Sequence, residues 1–392
     1  MNYFIAKYLK GDRVIWMVSI LLSLISLLAV YSSISSLAYK YTQGNTLYYL
    51  FKHGIMLGTG LAIMYAVHKM NYKYFSRLSQ IAIWVAAILL ILTLLLGVNL
   101  NDASRWIKIP IINQNFQTSD FAKIALIAFV ARELTVRRDR LHMFKHGVLP
   151  ILVPMLIICG LILPANFSTA AMLFMVCTIL LFVGGVPFKH LLLIFTLAIA
   201  GFALLLSLSS AFPELLPRAA TWKSRILSFE SGDSEANYQV EHAMMAIKSG
   251  GLLPDGPGTG DSRNYLPHPY SDMIYAFIIE EYGSIVGGCG ILLLYLIFLY
   301  RALRVAKRSD RDFGSFLVIG LSLLIAMQAF INMAVAVNLF PVTGQPLPLV
   351  SMGGTSIWFT CLALGMILSV SRTTELGESR SSNKIAKNYA VT

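Results

Sequence analysis

Charge is what this 392-residue sequence has least of: Asp, Glu, Lys and Arg together make up 13% of it, about half the share found in soluble domains. With 57% hydrophobic residues, that scarcity excludes a soluble globular protein and places the chain among polytopic membrane proteins. Acids are scarcer than bases, 19 against 31, for a net charge of +12. Nucleic-acid binding would need those bases on one soluble face among aromatics, and no soluble segment offers that, so no nucleic-acid partner is expected. Cysteine is rare too. Cys159, Cys177, Cys289 and Cys361 all fall in apolar runs without metal-ligand spacing, which predicts buried, inert thiols rather than a disulfide or zinc framework. A cleavable signal is not expected, because the first apolar run is too long for one and lacks a small-residue cleavage site.

What the sequence has in abundance is long apolar runs. Ten are candidate spans, at about residues 14–36, 47–67, 78–99, 119–134, 148–163, 169–186, 190–210, 272–300, 314–337 and 355–371. The expected fold is therefore an all-α bundle of about ten transmembrane helices. With the N-terminus inside, 21 of the 31 Lys and Arg fall on inner segments and eight on outer ones, with Lys52 and Lys123 inside helices. Cytoplasmic loops carry such an excess, so both termini are expected in the cytoplasm. Residues 1–372 form the expected membrane domain and residues 373–392 a polar, flexible tail. Residues 211–271 make one long outer loop, apolar and aromatic enough to be ordered.

Polar clusters gather on the outer side: NDASRWIKI at 101–109, FQTSDFAK at 116–123, NYQVEHAMMAIKSGG at 237–251, and NLFPVTGQPLPLVSMGGTS at 338–356. The last, broken by three prolines and three glycines, cannot be a regular helix; it is either a plain surface loop or a re-entrant segment lining a cavity. Ser119 is the expected N-cap of the fourth helix, and Lys123 one turn later either snorkels or points into a cavity. Ser271 is expected to cap the eighth helix, with Asp272 in its first turn. Glu280 and Glu281 would follow about 12–13.5 Å along the same helix, inside the hydrocarbon zone, where one of them should pair with an inward Lys or Arg or be protonated.

In this order the clusters resemble the SEDS family (shape, elongation, division and sporulation), which includes RodA, FtsW and SpoVE, over nearly the whole chain. The family's Asn-Gly-Ala-Arg-Arg-Trp-Ile appears as NDASRWI, its Phe-Gln-Pro-Ser-Glu-Phe-Ala-Lys as FQTSDFAK, and its Tyr-Gln…Ser-Gly-Gly as YQVEHAMMAIKSGG. The most specific matches are LPHPYSDMIYAFIIEEYG at 266–283 and PVTGQPLPLVSMGGTS at 341–356. There are departures: Asp102 and Ser104 replace Gly and the first Arg, Asp120 replaces Glu, and PANFST at 164–169 carries Asn166 where the family has Asp, which puts any catalytic or metal role for that Asp in doubt here.

The resemblance implies a peptidoglycan glycosyltransferase of the bacterial cytoplasmic (inner) membrane. It would polymerise lipid II into β-1,4 glycan strands on the outer side, with a class B penicillin-binding protein and other divisome proteins as partners. Its essential aspartate maps onto Asp272, the expected general base. Arg105, Lys123, Arg225 and Lys248 are the expected pyrophosphate partners, because Arg offers phosphate bidentate geometry and Lys a point charge. Trp106, Gln239, Pro341, Thr343, Gly344, Ser351, Gly353, Gly354 and Ser356 complete the expected substrate-binding set, with Glu280 and Glu281 structural. No residue pattern makes a metal cage; a divalent cation, Mg or Mn, stays open as an aid to the leaving pyrophosphate. The septal, FtsW-like role is expected over the elongation role of RodA. Rival readings are a lipid II flippase and a scaffold that only recruits the penicillin-binding protein.

Overall fold

The structure is a computed structural model that describes residues 9–34, 45–100, 103–109, 114–211, 222, 235–254, 256–262, 266, 269–309 and 312–389. The first helix shows how these sequences fold. Asp12 caps α1 (Arg13–Ser33) by accepting the amides of Val14 and Ile15. Ile15, Val18, Ser19, Leu22, Ser23 and Ser26 are buried at helical spacing, while Met17, Ile20, Leu24 and Leu28 face outward. Without water to bury apolar groups from, membrane helices associate through small and hydroxylated residues, and the Ser stripe supplies them. Ser19 and Ser23 satisfy their own hydroxyls on the carbonyls of Ile15 and Ser19.

Helices α2 (Thr46–Lys69) and α3 (Lys73–Leu96) follow, then a three-stranded antiparallel sheet, β1 (Val98–Leu100), β2 (Ala103–Ile109) and β3 (Gln114–Gln117), paired in chain order. The expectation for this stretch held no strands. Its two polar clusters are short and alternate, so they pair with each other at the bundle's end instead of extending the helices. Next come α4 (Thr118–Val136), α5 (Leu149–Ile162), α6 (Phe167–Val183), α7 (Phe188–Ala211), α8 (Glu235–Ser249), α9 (Ile274–Tyr282), α10 (Gly290–Arg308), α11 (Asp312–Ala336) and α12 (Thr355–Tyr389). Apart from that small sheet, the regular structure among the described residues is helical. Among the described residues eight helical stretches are long and apolar enough to cross a membrane. Of the ten expected runs, α6 falls short of that measure by length, at 17 residues. α4 falls short by carrying Asp120, Lys123, Arg132 and Glu133. Most of the apolar stretch of α12, 72%, is buried, against 11% for α7, so α11 and α12 are central and α7 peripheral. Past the expected end of the last span at 371, the chain stays helical to Tyr389. Three of the four cysteines are buried as expected, but Cys289 is exposed.

The run expected as one helix at 272–300 is folded back on itself. Tyr275 Oη donates to the carbonyl of Gly288 at 3.1 Å, although a continuous helix would separate residues 13 apart by about 20 Å. The reversal sits at Gly283, whose φ of +72° suits glycine and whose Cβ, if present, would lie 2.8 Å from the Leu252 carbonyl oxygen. Freed backbone groups there are re-satisfied from outside the helix: the amides of Ser284 and Ile285 donate to the carbonyls of Gly251 and Leu252. Ser271 does not cap α9, whose first residue is Ile274 and whose cap position, Met273, makes no side-chain bond. Ser119 likewise lies inside α4, with Gln117 at the cap position.

Candidate active site

Both kinds of helix end are sorted by the fold. At one end the basic segments meet: Asp12 pairs with Arg301 (2.7 Å), Arg138 with Asp312, and Ser369 and Arg372 bond the Met70 carbonyl. At the other end lie the sheet, α8, α9 and residues 338–354, which are the polar clusters.

Residues 338–354 form a non-helical segment, exposed at 338–340 and buried at 345 and 347–351, which fits the re-entrant alternative. Gln345, Leu347, Leu349, Val350 and Ser351 are buried. Such backbone survives in a bundle only if other helices satisfy it, and three do. Ser26 on α1 donates to Val350 O (2.7 Å), Tyr295 on α10 to Pro348 O (2.5 Å), and on α11 Gln328 to Pro346 O (2.9 Å) and Asn332 to Gln345 O (2.8 Å). A fourth helix, α6, holds the side chain of Gln345, whose Nε2 donates to Thr169 Oγ1, and Asn166 caps that helix by accepting Thr169 N. The turn where the family has Asp therefore serves, with Asn166, as the platform for Gln345.

Asp272 sits on this segment, half-buried, just before α9. Its Oδ1 accepts from Ser271 Oγ (2.8 Å) and its carbonyl accepts from Asn332 (2.8 Å). Oδ2 lies 3.5 Å from where Gly344 would carry a Cβ, room enough for a side chain, and it is the φ of +65° that calls for glycine there. Ser351 donates to the Ser271 carbonyl (2.7 Å) and accepts Leu347 N (2.7 Å), and Met352 N donates to Tyr270 O. Asp272, Gly344 and Ser351 are thus brought together.

Lys123 is neither snorkelled nor bare. It is 5% exposed, bridged to Asp120 at 2.7 Å, and donates to Gln328 Oε1 at 3.2 Å. With Asp120, Gln328, Ser356 and Thr360 it lines a cavity of about 300 Å³ that does not include Asp272. The two centres are joined through α11, where Gln328 and Asn332, one turn apart, grip adjacent residues of the 338–354 segment. Gln328, Asn332, Thr169 and Gln345 were absent from the expected site. The first two carried a signal: amides one turn apart within a span are costly in lipid unless bonded.

Of the other expected residues, Trp106 is half-buried on β2 and Gln239 half-buried on α8, while Lys248 is exposed on α8. Pro341, Thr343, Gly353 and Gly354 are half-buried along the segment. Thr355, beside Gly354, accepts Gln117 N and donates to Asn115 O, tying the segment to β3. The side chain of Arg105, and Arg225 altogether, lie outside the described residues.

Glu280 and Glu281 are both buried, and their described hydrogen bonds run to the long loop and to the end of α1. Because α9 folds back, Glu281 reaches Ser32 in the last turn of α1 and Gly258 N (2.7 Å). Glu280 accepts from Ser262 N (3.1 Å), Ser262 Oγ and Ser249 Oγ (3.4 Å).

Fold and geometry define the class: an all-α, multi-pass membrane protein whose re-entrant segment presents a carboxylate among polar motifs at one end of the bundle. The sequence matches the profile of the FtsW/RodA/SpoVE family, described as cell cycle protein, over residues 12–376, and the chain belongs to that family. It is 30% identical over 377 residues to stage V sporulation protein E of Bacillus subtilis (strain 168), covering 93% of this chain and 98% of that protein. It is 32% identical over 367 residues to the probable peptidoglycan glycosyltransferase FtsW of Trichlorobacter lovleyi (strain ATCC BAA-1151 / DSM 17278 / SZ), covering 92% and 93%. Among solved structures it is similar to a chain of a peptidoglycan synthase complex that coordinates polymerization and crosslinking, with TM-score 0.70, 25% identity and coverage of 93% and 98%. The fold also matches Thermus thermophilus RodA, with TM-score 0.66, 22% identity and the same coverage.

Proposed function

We propose that this protein is a peptidoglycan glycosyltransferase that polymerises lipid II on the outer side of the cytoplasmic membrane, in septal wall synthesis. The observation that carries the reading is the Asp272 carboxylate, held by Ser271 and facing Gly344 of a re-entrant segment that four helices fix. The basic end of the bundle would face the cytoplasm, as cation excess directs, and the Asp272 end the exterior. In the reaction the C4 hydroxyl of one sugar attacks the anomeric carbon of another. Its proton passes to Asp272, the bond to undecaprenyl pyrophosphate breaks, and inversion gives the β-1,4 link. Lys248, Arg105 and Arg225 would hold the departing diphosphate. Lys123, already bridged to Asp120, is assigned the shape of the neighbouring cavity and the support of Pro346 through Gln328. The family relative within a synthase complex supports a class B penicillin-binding protein as partner.

The test is glycan-strand synthesis from lipid II by purified protein with that partner. Asp272→Asn should lower the rate by about 10²–10⁴-fold, the range for a lost general base, at an unchanged thermal midpoint. Polymerisation at the normal rate removes Asp272 from the chemistry. Depletion should give filaments; round cells would place the protein in elongation.

A further inference from the structure

We propose that a cleft at the basic end of the bundle binds the phosphate of an anionic phospholipid headgroup. The cleft, about 390 Å³, opens between α10 and α12 at the foot of α1. Arg301, Arg304 and Arg308 line one wall at spacings of three and four residues, which puts them on one face of α10. Ser371 and Thr374 of α12 line the other.

The acids at this cleft are already engaged by the chain. Asp12 caps α1 and takes Arg301 on both oxygens, while Glu375 accepts Gly11 N at 3.0 Å. Arg304 and Arg308 are exposed and have no bond or ion pair with any described residue. Ser371 accepts Asp12 N and Thr374 donates to Val370 O, so the free donors are the two guanidinium groups, which a phosphate takes in bidentate fashion.

What selects a lipid is the surface that leads to them. Leu293, Leu296 and Tyr300 are exposed along α10, and Tyr300 lies one turn before Arg304 on the same face. An acyl chain lying on that apolar stripe delivers its headgroup to the arginines, at the level where basic pockets between helices meet anionic lipid. The proposal requires only that this end reach the membrane interface, in either leaflet, and is independent of the glycosyltransferase reading.

The experiment uses the full chain in detergent. Retained lipid is read by native mass spectrometry with dioleoyl phosphatidylglycerol, with dioleoyl phosphatidylcholine, and with inorganic phosphate alone. Phosphatidylglycerol should be retained over phosphatidylcholine, and R304Q/R308Q should weaken its binding by about 30-fold, about fivefold for each cation near the surface. R304K/R308K, which keeps the charge but not the bidentate fork, should fall between wild type and R304Q/R308Q and shows that the pair itself tolerates change. Equal retention of the two lipids, or unchanged preference in R304Q/R308Q, overturns the proposal. So does inorganic phosphate displacing nothing from phosphatidylglycerol yet binding the wild type alone in an arginine-dependent way, which would give the cleft to a soluble phosphate.

Discussion

A buried charge is costly until it is paired, and the pair at Asp120 and Lys123 shows what that rule does inside this bundle. Both side chains are under a tenth exposed and lie 2.7 Å apart, one turn along α4. Removing one partner strands the other, at a typical cost of about 3–5 kcal/mol. Lys123→Met should therefore lower the thermal midpoint sharply, and Asp120→Leu with Lys123→Met should recover most of it, because the orphaned carboxylate is gone. A single variant as stable as wild type would mean the ammonium is not buried as described. From sequence Lys123 was legible as a cation out of place in a span. Its partner was not chosen, because spacing alone does not say whether a side chain turns along its own helix or across a cavity. Asp272 was legible by resemblance. Its pinning by Ser271, Gly344 and Asn332 joins residues up to 72 positions apart, which no local pattern encodes.

At the scale of elements, the hairpin of α9 and α10 is where periodicity misled. Apolar residues continue past Gly283 at helical spacing, so the run 272–300 scans as one helix. Only the packing of residues 251–253 onto the freed backbone of Ser284 and Ile285 makes the reversal affordable. Glu280 is the other half of that clasp, accepting the Ser262 amide and hydroxyl. Hydrogen bonds to a carboxylate contribute about 1.5–3 kcal/mol each, so Glu280→Ala should raise amide exchange at Ser262 by about 10–100-fold. Glu280→Gln, which keeps an acceptor, should raise it less. Equal protection in wild type and Glu280→Ala would show that the loop is held elsewhere. Gly250 adds a steric clasp: a Cβ there would lie 2.2 Å from the Ile279 carbonyl oxygen, so Gly250→Ala should destabilise the protein by about 1–3 kcal/mol, read as a fall in thermal midpoint.

For the whole molecule the arrangement of charge is the testable quantity. If the basic end faces the cytoplasm, a cysteine at exposed Arg140 should react with an impermeant maleimide only after the membrane is opened. A cysteine at exposed Asn115 should react in intact spheroplasts, both in a background without the native cysteines. The reverse pattern would invert the protein and put Asp272 in the cytoplasm. The sequence by itself determined the class, the places of the apolar runs, the sorting of cations to one end and the family motifs, because composition, periodicity and charge bias are local or additive properties. Tertiary structure alone decided the sheet, the fold at Gly283, the pairing of Lys123 with Asp120, and the grip of Gln328 and Asn332 on the re-entrant segment. Each of those depends on which backbone or side-chain group remains unsatisfied once distant helices have met, and that is fixed by packing rather than by neighbours in the chain.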